Sequence, residues 1–196
     1  MEFTMDTPQS SCLRVHAFEY QSFANGPGIR AVIWVQGCTL RCPGCFNPLM
    51  QPLEGGKLVE IDDLFRNITD LGDSIQGITL SGGEPLQQMG PVLALLLRIR
   101  QATRLSILVF TGYTFEEISA MERGNELLAR VDVLIAGRYD ASRRVAQGLV
   151  GSSNQSIHFL TGRYNPWDLD VPYIAEVIIF PEGRITISGI DPPFMK

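Results

Sequence analysis

The chain has 196 residues, of which 45% are hydrophobic and 19% are charged, so its composition is that of a globular protein and not of a disordered or fibrous one. Its 16 basic and 21 acidic residues give a net charge of -5, which lacks the positive surface expected of a protein that grips a nucleic acid backbone. The longest strongly apolar run, residues 92–97, is far shorter than the ~20 residues of a membrane-spanning helix, so we expect neither a nucleic acid nor a membrane as a partner.

The N-terminal part of the chain leads into a cysteine cluster. Its first twelve residues hold two acidic and no basic residues and lack the apolar segment of a secretory signal, so we predict a cytoplasmic protein. A β-branched, apolar run at residues 31–36 predicts a strand, and Cys38, Cys42 and Cys45 follow it directly. Because a reducing compartment keeps thiols free, this cluster indicates metal binding rather than disulfides.

Downstream of the cysteines, strand-like runs alternate with amphipathic segments, the pattern of βα units around a mostly parallel sheet. In chain order we predict a helix at 61–68, a strand at 77–80, a helix from Pro91 to about Arg100, a strand at 105–110, a helix with a capping box of Thr114 and Glu117, a strand at 131–136, a strand within 152–160 and a β-hairpin around a turn at 181–183.

These elements predict an α/β fold in a single domain over residues 1–196, with its core at about 14–160 and a C-terminal extension at about 163–196. A closed eight-stranded barrel typically needs about 250 residues. We therefore predict an open, partial (βα)6-type barrel with a mostly parallel sheet, followed by a C-terminal β-hairpin.

The cysteine spacing C-x3-C-x2-C lets each thiolate take one iron of a [4Fe–4S] cluster and leaves the fourth iron without a protein sulfur. The alternative is a structural zinc site with a fourth ligand from Cys12 or His16. Structural zinc normally takes four ligands in C-x2-4-C pairs, and only one half of that pattern is here. Taken alone, the loop favours the cluster and leaves zinc open. His16 and His158 lie far from any motif and are predicted to be structural.

A second motif, Ser81-Gly82-Gly83-Glu84 before a proline, follows a predicted strand and precedes a predicted helix. Two glycines can expose backbone groups to a ligand, and one carboxylate can pair with an ammonium group. The alternative is an ordinary βα turn in which Glu84 complements a helix dipole. Neither GxxxxGK[ST] nor GxGxxG occurs, so the loop is not predicted to cradle a nucleotide phosphate.

Together the two motifs resemble the signature of the radical S-adenosylmethionine superfamily, C-x3-C-x2-C after the first strand and GGEP after the second. The resemblance implies an enzyme with a [4Fe–4S] cluster that cleaves S-adenosylmethionine reductively to methionine and a 5′-deoxyadenosyl radical. It implies that the free iron binds the amino and carboxylate groups of S-adenosylmethionine, and that residues 81–84 contact its amino group.

A closer resemblance is to the activating enzymes of glycyl-radical enzymes, including the activators of anaerobic ribonucleoside-triphosphate reductase. It implies that Thr111, Gly112 and Tyr113 lie near the bound nucleoside moiety, although Tyr113 could also be a packing aromatic. The residue before the third cysteine is often aromatic in the superfamily and is Gly44 here, so Phe46 is the side chain left for an adenine contact. The matching stretches are 25–48, 78–86, 109–118, 131–139 and 151–155.

The same resemblance implies that Asn25, Gly26, Pro27, Gly28 and Arg30 lie where the glycine loop of a partner enzyme would dock. The alternative for the three central residues is a simple turn into the first strand. The implied substrate is a glycine Cα hydrogen on a large glycyl-radical enzyme, and a flavodoxin or ferredoxin is the implied electron donor.

Two departures from the activating enzymes keep other functions open. Those enzymes usually have Asp at the position of Asn25 and an acidic residue at that of Ala136. One alternative keeps the radical chemistry and changes the target to another protein, a peptide or a small molecule. The other is a non-catalytic iron–sulfur or zinc module, which the three-cysteine loop disfavours because electron carriers normally use four cysteines.

Overall fold

The computed structural model describes residues 11–169, 175–179, 183 and 185–189. The helices of that part of the chain are α1 (Ile61–Thr69), α2 (Met89–Ala102), α3 (Phe115–Ala120) and α4 (Gly124–Leu128). Its strands are β1 (Cys12–Ser22), β2 (Arg30–Val35), β3 (Lys57–Glu60), β4 (Gly77–Gly82), β5 (Ser106–Thr111), β6 (Val133–Ala136), β7 (Arg144–Gln147), β8 (Val150–Ser152), β9 (Ser156–Phe159), β10 (Ala175–Ile179) and β11 (Ile185–Gly189).

A seven-stranded mixed sheet in the order β3-β1-β2-β4-β5-β6-β9 organises the molecule, and β7 with β8 and β10 with β11 form two separate hairpins. The four central strands are parallel, whereas β1 and β9 run antiparallel to their inner neighbours. The central strands are apolar and buried almost throughout, as expected of parallel strands covered on both faces.

The parallel strands are in register across the sheet. One row of paired residues runs from Ile33 through Leu80 and Val109 to Leu134. The carboxyl ends of the four strands therefore meet at one edge, where ligands bind in open α/β sheets.

The core lies on both faces of this sheet. Along β5, Ile107 and Val109 pack into the larger cluster with the buried residues of α1 and α2, while Leu108 points to the other face. On that other face, Leu149 and Leu169 cover the sheet. The alternation follows from the two-residue repeat of a strand.

Most predicted elements are confirmed to within a few residues. The capping box of Thr114 and Glu117 is present, with both of its hydrogen bonds. The C-terminal hairpin is confirmed by the antiparallel pairing of β10 with β11, although residues 181–182 of its predicted turn lie outside the described residues. The mixed α/β class with a mostly parallel central sheet is also as predicted.

Two features differ from the prediction. The described sheet has four parallel strands, fewer than the six βα units expected. The antiparallel strands β1 and β3 at one edge of the sheet were not predicted. Within the described residues, none of the helices is both long and apolar enough to cross a membrane.

Candidate active site

The loops that follow β2, β4, β5 and β6 surround one cavity at the carboxyl edge of the parallel strands. Its volume is about 150 Å³, and its mouth is open to solvent. Eleven residues predicted for the metal, cofactor or partner line it: Asn25, Cys38, Cys42, Cys45, Phe46, Ser81, Gly82, Gly83, Glu84, Thr111 and Gly112.

The cysteine loop is pinned at its start by backbone hydrogen bonds. Gly37 N donates to Met50 O at 2.8 Å, and Cys38 N donates to Gln51 O at 2.9 Å. All three loop cysteines are free thiols with intermediate exposure. Burial raises the pKa of the Cys38 thiol and that of the Cys42 thiol, and the negative charges of Glu84 and of Cys45 respectively add to it. A metal that binds them must therefore displace their protons.

Glutamine side chains hold the cysteine loop against its neighbours. Gln87 accepts from Thr39 N at 3.0 Å and donates to Thr39 Oγ1 at 2.7 Å, so the loop after β4 is tied to the cysteine loop. Gln36 donates to Pro52 O at 2.7 Å and bonds His16 Nδ1 at 2.7 Å. His16 thus bonds the residue just before Gly37, a contact within the protein that fits the structural role predicted for it.

The donor set fits a cluster with one open iron better than a zinc site. The proposed fourth zinc ligands lie elsewhere: Cys12 donates to Glu60 Oε1 at 2.9 Å, and His16 bonds Gln36. Across residues 11–169 and the described hairpin strands, no three His, Cys, Asp or Glu side chains converge on a position for a single metal ion. Three thiols at one cavity, with no fourth ligand beside them among the residues that the structure describes, are the donor set of a [4Fe–4S] cluster with a free iron.

The Glu84 carboxylate is the most enclosed charged group of the cavity, with 1% of the residue exposed. Its Oε1 accepts from Thr111 Oγ1 at 2.8 Å and Leu86 N at 3.0 Å, and its Oε2 accepts from Gly112 N at 2.8 Å. Burial raises its pKa to about 7, against the lowering effect of these hydrogen bonds. Glu84 therefore ties the β4 loop to the β5 loop, and a carboxylate retains room for about one further donor.

The glycines of this loop serve close packing rather than exposure. Gly83 N donates to Val35 O and Glu84 N donates to Gly37 O, both at 2.8 Å, so these amides are turned to the protein and not to a ligand. At Gly82, with φ of +106°, a Cβ atom would lie 2.6 Å from Val35 N and O. Only glycine fits there, which corrects the reason given for this residue from the sequence.

Phe46 and Tyr113 were both predicted to lie near the nucleoside, and only Phe46 lines the cavity. Phe46 lines the cavity and packs against Tyr139, with ring centroids 4.4 Å apart. Tyr113 is not among the cavity-lining residues. Its hydroxyl accepts from Gln87 Nε2 at 3.0 Å, and its ring lies 5.6 Å from the Arg138 guanidinium carbon. The packing alternative for Tyr113 fits this position.

Arg30 is fully buried, which corrects its assignment to a docking surface. Its guanidinium donates to Thr79 Oγ1 at 2.7 Å, Ser106 Oγ at 2.9 Å and Pro27 O at 3.1 Å. Gly26 has a φ of +136°, and a Cβ there would lie 2.6 Å from Arg30 Cδ. Arg30 therefore supports the turn from inside the protein and is closed to a partner.

Asn25 lines the cavity but is itself 5% exposed. Its amide nitrogen donates to Ser188 Oγ at 2.6 Å and to Ser22 Oγ at 2.7 Å. The C-terminal hairpin thus covers the residue that the resemblance assigns to partner docking. The turn residues Gly26, Pro27 and Gly28 lie between this contact and Arg30.

The sequence did not single out several residues that line the cavity. Gln155 is the most structured of them, because its side chain accepts from Gly151 N at 3.0 Å and Ser152 N at 3.1 Å and donates to Gly137 O at 2.9 Å. It belongs to the stretch 151–155 that resembles the activating enzymes, so that resemblance could have identified Gln155 as a residue of the site. The lining residues without a predicted role are Trp34, Leu40, Asn47, Phe110, Gly137, Tyr139, Leu149, Gly151, Gln155 and Gly189.

Comparison with known proteins places the chain among iron–sulfur proteins. Residues 24–158 match the model of the "4Fe-4S single cluster domain" family. The chain is 35% identical over 158 residues to the anaerobic ribonucleoside-triphosphate reductase-activating protein of Salmonella typhi, an alignment that covers 76% of this chain and 99% of that protein. The protein of the same name from Escherichia coli K12 is 33% identical over 156 residues, with the same shares covered.

The protein of that name from Enterobacteria phage T4 is 34% identical over 139 residues, which cover 69% of this chain and 86% of the phage protein. Among solved structures, QueE from Escherichia coli aligns with a TM-score of 0.43 and 17% identity, over 53% of this chain and 54% of that one.

Proposed function

Because this chain belongs to the 4Fe-4S single cluster domain family and to the family of anaerobic ribonucleoside-triphosphate reductase-activating proteins, we propose that it generates a glycyl radical on such a reductase. It is a radical S-adenosylmethionine activating enzyme. One observation carries the proposal: three free thiols line the same cavity as the loop at residues 81–84, and no other side chain in the described part of the chain completes a single-metal site with them.

Different residues of the cavity would bind the cluster and S-adenosylmethionine. Cys38, Cys42 and Cys45 would hold the cluster, which when bound supplies the electron that splits S-adenosylmethionine into methionine and a 5′-deoxyadenosyl radical. The cavity edge formed by residues 81–84 would receive the amino group of S-adenosylmethionine, with Glu84 held in place by Thr111 and Gly112.

The nucleoside end of S-adenosylmethionine would lie toward Phe46, Thr111 and Gly112, which line the cavity. Tyr113, which does not line the cavity, would support these residues from behind through its hydrogen bond to Gln87. The turn at residues 25–28 would border the opening through which a glycine loop enters, with Arg30 as its buried support.

We propose further that residues 14–160 form one catalytic domain with an extension at 163–196, and that the sheet curves as an open partial barrel. A barrel open on one side would let a protein loop reach the cavity. A flavodoxin or ferredoxin would deliver the electron. We place the protein in the cytoplasm because free thiols and a reduced cluster require a reducing compartment.

A second candidate keeps the chemistry and changes the target. The observation that favours it is the hydrogen bond between Asn25 and Ser188 of the C-terminal hairpin. The resemblance assigns Asn25 to partner docking, and the hairpin covers it. Another protein, a peptide or a small molecule would then be the hydrogen donor.

Anaerobic turnover separates these candidates. The reconstituted protein, a strong reductant and S-adenosylmethionine should yield 5′-deoxyadenosine and methionine, and adding the reductase of the source organism should produce a glycyl radical signal in electron paramagnetic resonance. Cleavage without that signal would remove the reductase as the target. Absence of cleavage in every mixture would remove the radical chemistry.

A further inference from the structure

The C-terminal hairpin, β10 with β11, lies beyond the part of the chain that matches the family model, which ends at residue 158. It is nevertheless part of the cavity, because Gly189 at the end of β11 is one of the lining residues together with Asn25. A segment outside the family match therefore forms one side of the site that contains the three cysteines.

Hydrogen bonds from two inward-facing side chains attach this hairpin to the end of β1. The Glu176 carboxylate accepts from Ser22 Oγ and from Phe23 N, the latter at 2.9 Å. The Asn25 amide donates to Ser188 Oγ at 2.6 Å and to Glu176 Oε1 at 3.5 Å. The two ties reach opposite strands of the hairpin, because Glu176 and Ser188 are cross-strand partners.

The two faces of the hairpin differ in exposure, and the face that carries the polar contacts is turned toward the protein. Ser188 on the inner face is 7% exposed, whereas four β-branched side chains on the outer face are exposed. A two-stranded hairpin is marginally stable by itself in water. Its attachment therefore depends on contacts with the rest of the protein, among them the hydrogen bonds of Glu176 and Ser188. The outward side chains are Val177, Ile179, Ile185 and Ile187, at 48%, 71%, 60% and 41% exposure.

From this geometry we propose that the hairpin is a wall that restricts access to the reaction site, and that Glu176 and Ser188 are the positioning residues that hold it. The inference rests on the proposed function, since a site that makes a radical must exclude unwanted hydrogen donors. By covering Asn25, the hairpin narrows the opening beside the turn at residues 25–28 and selects for a thin, extended protein loop.

The test compares full-length, cluster-loaded variants by hydrogen exchange and by product analysis. Glu176→Ala removes the acceptor for Ser22 and Phe23, so exchange of the amides in β10 and β11 should accelerate at least about tenfold, as expected for a lost charge-assisted hydrogen bond. Formation of 5′-deoxyadenosine without the reductase should rise several-fold, and glycyl radicals per 5′-deoxyadenosine should fall.

Two further variants make the result specific. Val177→Thr changes the outward neighbour on the same strand and keeps the β-branched shape, so its exchange and its product ratio should match the unmodified protein. Glu176→Gln keeps one acceptor oxygen and should lie between the unmodified protein and Glu176→Ala in both measurements.

Unchanged exchange in Glu176→Ala would show that these bonds do not hold the hairpin and would overturn the proposal. Faster exchange with an unchanged product ratio would show that the hairpin is no wall and would overturn it as well. Failure of the unmodified protein to form any 5′-deoxyadenosine would instead overturn the proposed function, and the exchange data, which do not depend on turnover, tell the two failures apart.

Discussion

At the scale of single residues, buried polar side chains do the positioning in this site. Glu84 and Arg30 are both buried, and each connects backbone segments that are distant in sequence. Burying a charge is costly unless hydrogen bonds compensate for it. Among the described residues, every buried side-chain nitrogen and oxygen has a hydrogen-bond partner. The buried polar groups of the site are therefore paired within the protein.

The cluster assignment predicts different outcomes for two cysteine variants. Cys42→Ala should lose most of the iron and sulfide that the unmodified protein binds on anaerobic reconstitution, because one of three ligands is gone. Cys12→Ala should keep them, because Cys12 lies at the start of β1 and bonds Glu60. Iron and sulfide analysis of both proteins checks this, and equal cluster content would contradict the assigned ligands.

Glu84 should make folding depend on pH. Its pKa rises to about 7 on folding from an ordinary value near 4.5, so the folded protein binds a proton that the unfolded chain releases in this window. Stability from this group is present below pH 4.5 and is lost as the pH rises through 7.

Urea unfolding of the cluster-free protein between pH 4.5 and 7.5 tests this dependence. The unmodified protein should lose stability with rising pH relative to Glu84→Gln, which cannot titrate. Parallel curves for the two proteins would show that burial does not raise the pKa of Glu84.

At the scale of elements, the carboxyl ends of β2 and β4 pack backbone against backbone, and this contact requires glycine. Gly82→Ala should destabilise the protein by about 1–3 kcal/mol, because its Cβ would lie 2.6 Å from Val35 N and O at a positive φ. Gly90→Ala, in α2 with no atom within 4 Å of the added carbon, should be neutral or stabilising by less than about 1 kcal/mol. Urea denaturation of both variants measures the difference, and equal effects would contradict the close packing.

The sequence predicted the elements whose signals are local. The parallel strands could be found because they are continuous apolar runs, and α3 because its capping box lies within four residues. Strand β1 was missed because its register with β2 is irregular between Val15 and Ala17 and between Glu19 and Ser22. Such a strand has no regular alternation to detect.

The residues of the site could be predicted from motifs, but their contacts could not. Spacing identified Cys38 and Glu84 as members of the cavity. No local sequence pattern indicated that Glu84 accepts a hydrogen bond from Gly112, or that the buried Arg30 donates one to Ser106. The contact of Asn25 with the hairpin was equally hidden from the sequence. These contacts depend on strand order, which brings together segments that are far apart in the chain.

At the scale of the whole molecule, the four parallel strands end at the same edge of the sheet, and the loops that follow them surround one cavity. The cysteine loop, the loop at residues 81–84 and the loops after β5 and β6 meet there, and the C-terminal hairpin closes one side. The family match, residues 24–158, covers the parallel strands and the loops that follow them, whereas β1 and the C-terminal hairpin lie outside it.

The central claim is that Cys38, Cys42 and Cys45 leave one iron of the cluster open for S-adenosylmethionine. Electron paramagnetic resonance of the reduced, reconstituted protein before and after addition of S-adenosylmethionine tests it most directly. We predict a [4Fe–4S]⁺ signal whose g values shift when S-adenosylmethionine binds the open iron. An unshifted signal at saturating S-adenosylmethionine, or a protein that takes up zinc and no iron, would contradict the account.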